Sequence, residues 1–165
     1  MKKYKGFTLI ELLIVIGIIA ILAAIIYVVV DPARRLSEAR NAERWSSTNA
    51  ILNGILKYTV DNKGVLPTAL TNEFTGTYKL GTGTLDCDDC TYGLAGVATT
   101  TPVACIDLSS DLVPTYLSKI PEDPLTPDAA DTDYFVYRSA SGRITVGSCN
   151  EEDIAGERPA ITVSR

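Results

Sequence analysis

One continuous apolar run, Phe7 to Val30, dominates the chain. Only Thr8, Glu11, Gly17 and Tyr27 interrupt it. A helix over this run reaches about 36 Å, enough to cross the hydrocarbon core of a bilayer. A removable secretory signal has a shorter apolar region, about 7–15 residues, closed by a small-residue cleavage site. Here Ala20, Ala23 and Ala24 are followed by six more apolar residues. The run therefore reads as a retained single-pass span. Lys2, Lys3 and Lys5 precede it, whereas Arg34 and Arg35 follow it together with Asp31. The positive-inside rule then places the N-terminus in the cytoplasm and the rest of the chain outside.

Composition excludes several classes of function. The chain has no histidine, so Ser-His-Asp and Cys-His catalytic groups and His-ligated metals are ruled out. Its net charge is −5, and it is more acidic still without the three leading lysines. Phosphate neutralisation needs clustered Lys and Arg, so general nucleic-acid binding is not expected. No nucleophile motif stands out, and the chain is not expected to be an enzyme.

The cysteines are Cys87, Cys90, Cys105 and Cys149. All fall on the outer side of the span, where disulfides form and persist. Four cysteines allow three pairings. Bridges from Cys87 and Cys90 to Cys105 and Cys149 are the expectation. Cys87-Asp-Asp-Cys90 also has the spacing of half a zinc site, and an all-cysteine tetrahedral centre is the alternative, although no second CxxC accompanies it.

Glu11 is the anomaly in the apolar run. A carboxylate at membrane depth is costly and is by default a functional residue with a partner to be named. A hydrated position near the membrane surface, at the positive end of a helix, is the plainer reading.

The stretch "KGFTLIELLIVIGIIAILAAI" resembles the N-terminus of the type IV pilin superfamily, which includes the pseudopilins of type II secretion. Lys2, Lys3 and Lys5, then Gly6, Phe7, Thr8, Leu9, Ile10 and Glu11, carry the resemblance. It implies that residues 1–6 are a leader and that a prepilin peptidase cuts between Gly6 and Phe7. The new Phe7 amine is then methylated. Residues 7–30 anchor the subunit in the lipid of the inner membrane and afterwards form the core of a homo-oligomeric helical filament, built on an inner-membrane assembly platform. It further implies that Glu11 pairs with the Phe7 amine of a neighbouring subunit, which relieves a buried charge and sets axial register.

Residues 31–64 read as an amphipathic stalk helix. Asp31-Pro32 is either an N-cap with a first helical position or a kink. Leu36, Ala39, Leu52, Ile55, Leu56 and Thr59 are expected on the packed face, with Trp45 and Ile51 near its borders. Glu38, Arg40, Glu43 and Arg44 are expected on a charged outer face. Asp61-Asn62-Lys63-Gly64 ends the helix.

Residues 65–165 form the expected head. Phe74–Leu80 reads as an edge strand or loop, and the stretch from Cys87 to Cys105 as a Thr- and Gly-rich loop. A brief helix is expected within Ile106–Leu117, with Asp107 as its N-cap. Tyr134–Arg138 and Arg143–Ser148 make a hairpin, and another strand is expected near Ala160–Val163. The fold class is α+β: a long N-terminal helix packed on a small antiparallel sheet, as in pilins.

Asp123, Asp128, Asp131 and Asp133 crowd one turn-rich segment. Carboxylates suit calcium, and major pseudopilins carry a calcium site after a similar Asp-Pro. Here Leu125-Thr126-Pro127 replaces the usual continuation, and no EF-hand series is present. A solvated turn is the alternative.

The expected function is a structural subunit of a type IV pilus or a type II secretion pseudopilus. A membrane-anchored binding module that never polymerises is the runner-up.

Overall fold

The computed structural model describes residues 6–71, 77–83, 87, 90 and 105–165. The expected leader lysines, Phe74, and most of the loop between Cys87 and Cys105 lie outside the described residues. The chain divides into two compact units, Met1–Leu36 and Ser37–Arg165.

In the first unit, helix α1 spans Leu9–Val30, and none of its residues is buried. Among the described residues, it supplies the one helical stretch long and apolar enough, by length and composition, to cross a membrane. It ends at Asp31, which takes a left-handed backbone conformation with φ +41°. The following proline disfavours right-handed helical geometry at Asp31, so α1 stops there. Helix α2, Pro32–Asp61, begins at once with proline in the first helical position. The Arg34 N–H donates to the Asp31 carboxylate at 3.4 Å, as to an N-cap. Asp31 thus closes one helix and opens the next, as the N-cap reading expects.

The second unit packs α2, from Ser37 onward, with a four-stranded antiparallel sheet of order β1-β2-β3-β4. The strands are β1 Thr77–Lys79, β2 Tyr134–Arg138, β3 Ile144–Ser148 and β4 Thr162–Ser164. Gly142, at φ +85°, supplies the left-handed residue in the β2–β3 connection. The hairpin matches the sequence expectation to within one residue. A single helical turn, α3 Ser109–Leu112, lies in the connection to β2. Leu108 rather than Asp107 is its N-cap, although the Asp107 carboxylate accepts from the Ser109 N–H at 2.7 Å. This arrangement is the expected α+β, pilin-like one.

The main core joins Ile51, Leu52 and Ile55 of α2 to Tyr134 and Val136 of β2 and to Ile144 and Val146 of β3. Each such aliphatic side chain contributes about 1.5–3 kcal/mol on burial. The two-residue period of β2 sends Phe135 to the opposite face, where it clusters with Cys90 and Cys149. Phe135 is in register with Gly147. A Cβ at Gly147 would overlap the Phe135 ring, so this crossing requires glycine.

Two expectations for the stalk are corrected. Leu36 and Ala39 are exposed, and the buried face runs through Asn41, Arg44, Thr48, Ile51, Leu52 and Ile55. Arg44, expected on the outer face, is completely buried, and Arg40 turns toward Glu152. Guanidinium groups can occupy an inner face when carboxylates meet them there. The helix ends as expected: the Gly64 N–H, at φ +92°, donates back to the Thr59 carbonyl at 2.8 Å.

Candidate processing and assembly site

Gly6, Phe7 and Thr8 precede the first helical residue, Leu9. Gly6 is exposed, and a Cβ built on it would meet nothing within 4 Å. Phe7 is 83% exposed. The Gly6–Phe7 bond therefore lies in open, non-helical backbone.

Thr8 is the N-cap of α1, and Glu11 lies in its first turn. Together they form a capping box. The Thr8 N–H and the Thr8 hydroxyl both donate to Glu11 Oε2, at 2.8 and 2.7 Å. The Glu11 N–H returns a bond to Thr8 Oγ1 at 3.3 Å. The carboxylate that looked isolated in an apolar run is thus held by its own helix end. The Thr-x-x-Glu spacing was visible in the sequence, and it is the signal that would have revealed the box.

Beyond this site, α2 is tied to the head by a charged network. Arg44 donates to both oxygens of Asp123, from Nε at 2.7 Å and from Nη2 at 3.0 Å. Its Nη1 donates to Glu152 at 2.9 Å. Arg40 makes a forked pair with the same Glu152 at 2.6 and 2.5 Å, and the Ser37 hydroxyl joins at 3.2 Å. Asn41 completes the lock by exchanging two bonds with the Glu152 backbone, at 2.8 and 3.0 Å. Hydrogen bonds from Arg40 hold the Glu152 carboxyl far below its ordinary range, at about 2. No sequence expectation included this network.

The four cysteines pair as Cys87–Cys105 and Cys90–Cys149, with Cα separations of 5.5 and 5.1 Å. No free cysteine is left to supply the thiolates of a zinc centre. Of Asp123, Asp128, Asp131 and Asp133, only the last two meet at one cation. Asp123 faces Arg44, and the Asp128 carboxylate accepts from the Ala130 N–H at 2.8 Å. Asp131 and Asp133 face Lys79. Among the described residues, no group of three His, Cys, Asp or Glu side chains is placed to hold a metal ion.

Residues 1–27 match the family model of the prokaryotic N-terminal methylation motif. The chain carries a prepilin-type signal. That signal is the one found in type IV pilin and pseudopilin precursors. It implies processing by a prepilin peptidase and pilin-type assembly in general, and with α1 it supports membrane anchoring. No curated protein and no solved structure matches the chain.

Proposed function

We propose that the chain is a structural subunit of a type IV pilus or a type II secretion pseudopilus. The observation that carries this reading is the prepilin-type signal directly ahead of an apolar helix whose first turn holds Glu11. On this reading the chain is a peptidase substrate and performs no catalysis of its own.

Hydrolysis of the Gly6–Phe7 amide leaves a carboxylate on Gly6 and an ammonium on Phe7. The leader is lost, and the Phe7 amine is methylated. Before assembly α1 sits in the inner membrane, with its N-terminus toward the cytoplasm and the head outside. The capping box supplies Glu11 with two donors in that state. On assembly, the Phe7 amine of a neighbour becomes its counter-ion. Pairing two charges in an apolar surround favours one axial register over the others, because any slip leaves a buried charge alone.

Glu11→Ala separates this reading from a simple membrane tether. Cleavage before Phe7 should continue, while filament yield should fall at least about tenfold, since an assembly register is lost without its ion pair. Unchanged filaments with normal cleavage would refute the register role.

A further inference from the structure

The acidic segment 121–133 is held by charges from elsewhere in the chain. Lys79, on β1, is buried with its side chain only 3% exposed. Its Nζ lies 2.5 Å from Asp131 Oδ2 and 3.0 Å from Asp133 Oδ1. The other oxygens of this pair are also engaged. Asp131 Oδ1 accepts from the Asp133 N–H at 3.1 Å, and Asp133 Oδ2 accepts from the Thr126 hydroxyl at 2.7 Å. Asp123, nearer the start of the segment, has both oxygens on Arg44. Backbone bonds fix the segment against the end of β1: Thr132 N–H to Leu80 O at 3.0 Å, Thr82 N–H to Ala129 O at 3.0 Å, and Gly83 N–H to Ala130 O at 2.9 Å.

We propose that Lys79 is the resident counter-ion of this segment, its ammonium bridging Asp131 and Asp133 as a divalent cation would, so that the head folds independently of calcium. Geometry and charge carry this. The ammonium already occupies the space between the two carboxylates. A calcium ion there would sit within a few ångströms of a buried like charge, which a low-dielectric surround makes costly. Calcium also needs 6–8 oxygen ligands, whereas the carboxylates of this segment are divided between Lys79, Arg44 and local N–H and O–H donors. The buried lysine keeps its charge because its two partners outweigh the cost of burial.

The test is thermal unfolding of the full chain in detergent micelles, with EDTA or with millimolar calcium. The midpoint is expected to agree between the two conditions to within about one degree. A rise of several degrees with calcium would overturn the proposal. In EDTA, Lys79→Met should lower the midpoint by roughly 10 °C, because it leaves two half-buried carboxylates side by side without their cation. Adding Asp131→Asn to that variant should recover part of the loss. A Lys79→Met midpoint equal to that of the unaltered chain, or a loss that Asp131→Asn does not relieve, would assign Lys79 a packing role instead. Should Lys79→Met fail to fold, the calcium comparison on the unaltered chain decides.

Discussion

Arg44 and Asp123 meet as a completely buried, forked ion pair across 79 residues of sequence, with both side chains shut off from solvent. The pair fastens α2 to the turn at the start of the acidic segment. Removing Arg44 strands the Asp123 carboxylate in the interior, so Arg44→Met should cost about 3–5 kcal/mol, whereas Asp123→Asn should cost less because Glu152 still faces Arg44. Replacing both partners with apolar residues should cost clearly less than the two single changes combined, because no charge is stranded. Denaturant unfolding of the full chain in micelles measures all three variants.

Adjacent glutamates should give stability two opposing pH limbs. Burial raises the Glu151 carboxyl above its ordinary 4.5, and its Oε2 has no hydrogen-bond partner. A raised acid favours folding when protonated, so its contribution is complete below 4.5 and is lost as pH climbs through the folded value. Glu152 is the reverse. Its folded value of about 2 lies below the ordinary 4.5, so its stabilisation is present above 4.5 and is lost as pH falls toward 2. Stability should therefore rise as pH is lowered through the raised folded value of Glu151 toward 4.5, then fall in stronger acid as Glu152 is protonated. Glu151→Gln should abolish the upper limb and leave the lower one, as read by melting temperature against pH.

The two disulfides should contribute unequally. Cys90–Cys149 closes a separation of 59 residues and Cys87–Cys105 one of 18. Loop-closure entropy assigns them about 4 and about 3 kcal/mol respectively. Cys149→Ser paired with Cys90→Ser should lower stability more than the matching Cys87/Cys105 change. Equal losses, measured by unfolding under non-reducing conditions, would indicate that the restrained unfolded chain is not the source of the stabilisation.

Much of the fold was legible because its signals are local. The span announces itself by an unbroken apolar run, the hairpin by alternation around Ser139–Gly142, and the end of α2 by Asp61 to Gly64. The capping box was equally local, as Thr8 and Glu11 are three residues apart. Arg44 was misplaced because a charged residue on a helix ordinarily faces water, and its partners Asp123 and Glu152 lie 79 and 108 residues away. Lys79 escaped notice for the same reason: its counter-charges arrive from a segment 52 residues later. Pairings of this kind are set by tertiary packing, which a local pattern does not carry.

The decisive measurement for the prepilin reading is the intact mass and N-terminal sequence of the chain purified from cells that make a prepilin peptidase. The expected product starts at Phe7, carries one methyl group on that amine, lacks residues 1–6, and keeps α1. A chain that retains residues 1–6, or one cut after Ala24 with most of α1 lost, would contradict the reading.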